Sequence, residues 1–151
     1  MIEKINVKLE KANNDCFREW IIEEWKHHNT VDEVYQLNII KPEELKFQEN
    51  EEYYKIVYKN EMVGFIGIKN YKREINLYRF FIDDKYRNKG IGTIALNKII
   101  EMAKKQNKDM SLEVYGENDA RVLYERLGFK THYRRMVLKI NEDIQYRQKS
   151  E

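Results

Sequence analysis

Arg87-Asn88-Lys89-Gly90-Ile91-Gly92 is the stretch of this chain best equipped for chemistry. It follows an apolar, strand-like run, Leu77 to Ile82, and opens a helix-like run, Thr93 to Lys105. Two glycines let the main chain turn sharply and bring its N–H groups close to a ligand. The helix N-terminus beyond them adds a partial positive charge. Together they make a seat for a pyrophosphate. A glycine pair is also what an ordinary helix-capping turn uses, so its weight depends on what lies downstream.

The downstream stretch runs from Leu112-Glu113-Val114-Tyr115-Gly116-Glu117-Asn118 through Ala120-Arg121-Val122-Leu123-Tyr124-Glu125-Arg126-Leu127-Gly128-Phe129. Here the chain resembles the GNAT superfamily, the Gcn5-related N-acetyltransferases that use acetyl-CoA. The first stretch is similar to that family's Arg/Gln-x-x-Gly-x-Gly/Ala loop, and the second to its Asn…Ala…Leu-Tyr-Glu-x-x-Gly-Phe segment. Both stand in the family's order and at about its spacing, and the resemblance covers roughly residues 53–140.

The resemblance implies roles. Main-chain groups at Phe81 and Ile82 would pair with the pantetheine arm. N–H groups from Arg87 through Asn88, Lys89, Gly90, Ile91, Gly92 and Thr93 would cradle the pyrophosphate, with Arg87 and Lys89 also meeting phosphates as charges. Tyr124 matches the general acid that protonates the leaving thiolate; a phenol is a neutral donor at pH 7. Its spacing equally suits a core tyrosine. Asn118 matches a cofactor-contacting asparagine or a plain N-cap, in a form one residue shorter than the frequent one. Glu113 resembles the base of ribosomal-protein alanine acetyltransferases, and Glu74 is the second candidate for accepting the amine's proton. Either could instead be a solvated strand carboxylate.

The elements that must position these residues read from periodicity. Ile2 to Leu9 alternates like a half-buried strand, and Asn13-Asn14-Asp15 offers N-cap chemistry to a helix carrying Phe17, Trp20, Ile21 and Trp25. A short helix over Val31 to Asn38 and a turn at Pro42 follow. Tyr53 to Lys59 and Met62 to Lys69 form a hairpin through Asn60-Glu61, with Gly64 and Gly67 permitting close approach. Glu74 to Asp83 is a third strand, Gly90 to Gln106 a helix with Ile91, Ala95, Ile99 and Met102 or Ala103 inward, and Met110 to Tyr115 a strand. The next helix buries Ala120, Leu123, Tyr124 and Leu127, and Gly128 stands at its C′ position. Phe129 to Ile140 is expected as a final strand or strand pair. The fold class is α/β: a mixed sheet with helices on both faces. The resemblance adds a mostly antiparallel GNAT sheet whose central parallel pair, Glu74 to Asp83 and Met110 to Tyr115, splays into a cleft.

The 151 residues suit one domain. Residues 1–52 would be its acceptor side, 53–140 its acetyl-CoA-binding core and 141–151 a polar tail. Residues 1–52 hold 7 Lys/Arg against 13 Asp/Glu, and the remainder 21 against 13. A basic part suits a polyanionic ligand and an acidic part a cationic one, although both could be ordinary solvated faces. The single cysteine, Cys16, excludes an intrachain disulfide and suits a reducing cytosol. No leader-like or membrane-length apolar run occurs, so a cytoplasmic protein without a membrane partner is expected. Basic residues do not interleave with aromatics in a nucleic-acid motif, so no nucleic-acid partner is expected. His27, His28 and His132 lack metal-ligand spacing, and no metal is expected.

Arg79-Phe80-Phe81-Ile82-Asp83, with Tyr86 and Lys89-Gly90-Ile91-Gly92, is similar to spermine/spermidine-type GNAT enzymes, which makes a polyamine or other small amine the first acceptor to test. Thr131-His132-Tyr133 resembles a different, uncharacterised bacterial group. A protein N-terminus or lysine is the second acceptor, and a non-catalytic acetyl-CoA sensor the competing class. A homodimer is compatible with the resemblance.

Overall fold

The computed structural model describes residues 5–28, 41–114 and 120–134, with 136, 138 and 140. The helix expected at Val31 to Asn38, Asn118, the tail from Asn141 and the side chain of Trp25 lie outside the described residues.

Five strands form one sheet in chain order: β1 (Val7–Ala12), β2 (Glu51–Tyr58), β3 (Glu61–Asn70), β4 (Glu74–Ile82) and β5 (Asp109–Leu112). The first four are antiparallel neighbours, and β5 runs parallel to β4. The β2–β3 turn lies at Lys59 and Asn60, both left-handed at φ 52° and 64°. Two successive positive φ values match the twist of a tight hairpin. The turn therefore falls one residue earlier than the expected Asn60-Glu61, and Glu61 already pairs with Tyr58. β1 also differs from expectation. It runs from Val7 to Ala12, set by its register of Val7 on Tyr58 and Ala12 on Tyr53.

Helices cover both faces, which is why Val63 to Ile68 of β3 is buried without interruption. On one face α2 (Ile91–Lys105) buries Ile91, Ala95, Ile99 and Ala103, the expected stripe, widened by Leu96. They meet Ile66, Ile68, Ile75 and Leu77 of the sheet. On the other face Phe17 and Ile21, at the start of α1 (Arg18–His28), pack with Tyr53 and Phe65. Asn13 caps that segment, its Oδ1 accepting the Asp15 N–H at 2.9 Å.

Helix α3 (Ala120–Arg126) closes as the glycine predicts. Gly128 is left-handed at φ 105°. The Gly128 N–H donates to the Glu125 carbonyl and the Phe129 N–H to the Tyr124 carbonyl, both at 3.0 Å. The accompanying apolar contact is Phe129 edge-on to Tyr124, ring centres 6.0 Å apart. This closure fixes the Tyr124 ring. The strand expected over Phe129 to Ile140 is not formed among the described residues. β5 is four residues long and, among the described residues, pairs with β4 alone, and Tyr133, Met136, Leu138 and Ile140 stand exposed.

Both strand glycines serve close approach. A Cβ on Gly67 would stand 2.5 Å from the Tyr53 ring, and one on Gly64 would overlap the Phe81 carbonyl oxygen of β4. Main-chain oxygen cannot rotate away as a side chain can. Gly64→Ala should therefore lose about 2 kcal/mol or more of stability, as overpacked cores do. Urea unfolding checks this, and an unchanged midpoint would contradict the packing described.

Candidate active site

Strands β4 and β5 part company early. Their parallel ladder covers only Glu74–Leu77 against Asp109–Leu112. Beyond Leu77, the edge of β4 that faces away from β3 has no strand partner among the described residues. Direction alternates along it. The Asp83 N–H points to β3, donating to the Val63 carbonyl at 2.9 Å. The Phe80 N–H points the other way, into the gap, as does the Ile82 carbonyl. Phe81 shares the parity of Asp83, so the open edge carries the polar groups of Phe80 and Ile82 rather than those of Phe81.

The glycine-rich loop follows directly. Asp83 caps a single 3₁₀ turn at Asp84–Tyr86. Asn88 and Gly90 are then left-handed, at φ 60° and 84°. The first helical bond of α2 is the Ile94 N–H to the Gly90 carbonyl, so the amides of 88–93 precede the hydrogen-bonded ladder. Alternating left- and right-handed residues turn such amides into a concave anion nest. A Cβ on Gly90 would meet nothing within 4 Å, whereas one on Gly92 would stand 3.1 Å from the tip of Phe80 and 3.2 Å from Ile82. Gly92 thus lets the nest press against the end of the open edge. Lys89 is exposed beside it.

Arg87 departs from the expected cradle. Its N–H donates to the Asp84 carbonyl at 3.3 Å. Its guanidinium pairs with the Asp84 carboxylate at 3.1 Å, and its Nε donates to the Ile82 carbonyl at 2.7 Å. The nest therefore begins at Asn88, and Arg87 lies folded along β4.

Tyr124 is buried, and among the described residues its hydroxyl has no hydrogen-bond partner. Burial, then the charge of Glu24, pushes its pKa up to about 12. It is therefore a protonated donor throughout the neutral range. Glu113 stands exposed just past β5. Met110 and Leu112 pack on the α2 side, so alternation turns Glu113 to the opposite face. Glu74 accepts from Ser111 Oγ at 2.6 Å at the far end of β4. Six residues of strand, about 20 Å, separate it from the Phe80 N–H.

One buried carboxylate escaped the sequence reading. Glu24 on α1 is only 7% exposed. Its Oε2 accepts the Phe80 N–H at 3.2 Å, and its Oε1 pairs with Arg79 Nη1 at 3.1 Å. Arg79 Nε donates to the Tyr53 hydroxyl, which donates to Glu51 at 2.7 Å. Burial pushes the Glu24 carboxyl up to about 7, while Arg79 and the Phe80 amide pull it down. The signal was present: Phe17, Trp20, Ile21 and Glu24 are three and four apart, a carboxylate on an apolar helical stripe.

A cavity of about 770 Å³ between α1 and the end of β4 is lined by Glu19, Trp20, Glu23, Lys26, Phe81, Asp83 and Asp84 among others. A second hollow, about 720 Å³ and lined by 11–15 and Phe47, touches none of the motif residues. Among the described residues no group of His, Cys, Asp and Glu could hold a metal. No helix among them is long and apolar enough to cross a membrane.

Comparison with known proteins decides the family. The family model described as an acetyltransferase (GNAT) domain matches residues 12–143. The chain belongs to the GNAT family. Over 88 residues, 56% of this chain, it is 33% identical to the [ribosomal protein bS18]-alanine N-acetyltransferase of Haemophilus influenzae. The chain spans 27% to 60% of the length of the curated relatives it matches. The GNAT fold recurs in the YycN acetyltransferase of Bacillus subtilis, at TM-score 0.68, 21% identity and coverage of 91% of this chain and 100% of that one. It recurs in the aminoglycoside N-acetyltransferase AAC(6')-Iy in complex with CoA, at TM-score 0.63, 13% identity and coverage of 92% and 97%.

Burial of Glu24 makes stability depend on pH. Its carboxyl moves from about 4.5 when unfolded to about 7 when folded, so the fold favours the protonated form. Its contribution is fully present below about 4.5 and is lost as pH rises through about 7. The Tm of the wild type should therefore fall relative to that of E24Q across this window. A difference that stays constant from pH 4.5 to 7.5 would contradict the assignment.

Proposed function

We propose that this chain transfers an acetyl group from acetyl-CoA to a primary amine by direct attack in a ternary complex. The observation that carries this reading is the open edge of β4 running straight into the amide nest at Asn88–Thr93, with the buried Tyr124 hydroxyl nearby. A linear ligand ending in a diphosphate matches that sequence of donors and acceptors. Membership of the GNAT family supports it, as does the CoA complex of a structural neighbour.

Amides of Asn88, Lys89, Gly90, Ile91, Gly92 and Thr93 hold the diphosphate, with Lys89 adding charge. The edge groups of Phe80 and Ile82 pair with the pantetheine arm as an added strand would. The bound coenzyme supplies the activated acyl carbon. Tyr124 donates its proton to the departing sulfur, and Asn118, outside the described residues, contacts the coenzyme.

The acceptor is a cationic amine. Glu19, Glu23, Asp83 and Asp84 line the cavity beside α1 against the single Lys26, which suits a polyamine. The likeness to an alanine N-acetyltransferase favours a protein N-terminus as the second acceptor. A reducing cytoplasm would suit the lone cysteine.

Thiol release from acetyl-CoA should be seen with spermidine, ahead of kanamycin and an Ala-initiated peptide. CoA binding without turnover on any of them would replace the enzyme with a sensor domain. Tyr124→Phe should lower kcat by about 10² while leaving CoA affinity unchanged. Unaltered kcat would remove Tyr124 as the acid.

A further inference from the structure

The Arg79 ion pair accounts for one oxygen of Glu24 and leaves the other to be explained. Oε2 lies on the main-chain N–H of Phe80, at the open edge of β4. That donor faces the gap between β4 and β5, where a bound thioester would need it. The companion group, the Ile82 carbonyl, is likewise taken by a side chain of this chain, Arg87 Nε. Both are side-chain contacts on main-chain groups, and a ligand pairing along the strand would exchange for them one for one. An N–H directed at one acceptor cannot serve a second at full strength.

We propose that Glu24 is the base that takes the acceptor's proton, and that it becomes available when the thioester carbonyl replaces it on the Phe80 N–H. The proposal rests on the acetyl-transfer reading above. Glu24 and Tyr124 come from helices on opposite faces of the sheet, α1 and α3, and the Glu24 charge helps to keep the Tyr124 hydroxyl protonated. Among the described residues the charged group against Glu24 is Arg79 on β4, and the Glu24 charge also acts on Tyr124 on α3. Behind Arg79 stand Tyr53 and Glu51 on β2, and Tyr78 on β4. Loss of the Phe80 hydrogen bond removes one interaction favouring the charged carboxylate, so Glu24 becomes more basic as the coenzyme seats. Its pKa of about 7 already suits proton transfer at neutral pH.

The step balances. The acceptor ammonium gives one proton to the Glu24 carboxylate, and the freed nitrogen lone pair forms the C–N bond to the acyl carbon. The C–S bond breaks, and the sulfur keeps the electron pair and takes the Tyr124 proton. The surplus proton on the new amide nitrogen returns to Tyr124, and Glu24 releases its own to water. Amide, thiol and one proton result.

E24Q tests this with whichever of spermidine, kanamycin and Ala-peptide the wild type acetylates. At pH 7 kcat should fall about 100-fold. Its rate should then climb about tenfold per pH unit through pH 9, as free amine becomes the limiting species, where the wild type levels off. A wild-type rate and pH profile in E24Q would overturn the proposal while leaving acetyl transfer standing. A wild type inactive on every amine would instead remove the underlying reading. A second readout needs no turnover and no variant. The ¹³C carboxyl titration of Glu24 in the wild type should move up by about half a pH unit or more on saturation with acetyl-CoA. A midpoint that stays put overturns the proposal, including where E24Q does not fold.

Discussion

Everything in this protein turns on a β-strand that loses its neighbour half-way along. From Glu74 to Leu77, β4 is an interior strand. From Tyr78 to Ile82 it pairs with β3 on one side and, among the described residues, with no strand on the other. Buried main-chain N–H and C=O groups must find partners. The chain meets this demand with side chains, Glu24 for the Phe80 N–H and Arg87 for the Ile82 carbonyl. Such an edge is a template for an added strand. The two side chains keep it satisfied and closed to casual pairing, as edges generally must be.

Glu24 and Tyr124 are both buried, on opposite faces of the sheet, and their pKa values are driven to about 7 and about 12. Titratable groups pushed apart in this way are the usual basis for dividing acid and base roles at a single pH. Arg79 holds the arrangement together. It neutralises Glu24 and is itself held by Tyr53, whose hydroxyl is tied to Glu51. Anchoring through β2 gives the network a rigid footing in the sheet.

Much of this was legible from residue order. The left-handed helix start at Gly90, the inward stripe of α2 and the Gly128 closure follow local rules of turn, period and cap, and the fold shows each of them. Other expectations meet partners that residue order does not show. Glu74 accepts from Ser111 at the far end of β4, about 20 Å from Phe80. Phe81 reads as an edge residue until strand parity turns its amide to β3. Arg87 reads as a phosphate ligand until its guanidinium is found on Asp84 and Ile82. Glu74 and Phe81 depend on strand length and register, which no local pattern encodes, and Arg87 on contacts three and five residues back. Glu24 sits between the two cases. Its place on an apolar stripe was visible, but its partners are 55 and 56 residues away in the chain.

The central claim is that the open edge of β4 and the nest beyond it form one continuous coenzyme seat. The most direct test is an amide ¹H–¹⁵N titration of the wild type with CoA. The largest shifts should fall on Phe80, Ile82 and the run from Asn88 to Thr93, and should saturate together at a single Kd. Shifts confined to other elements, or saturation of edge and nest at different concentrations, would contradict it.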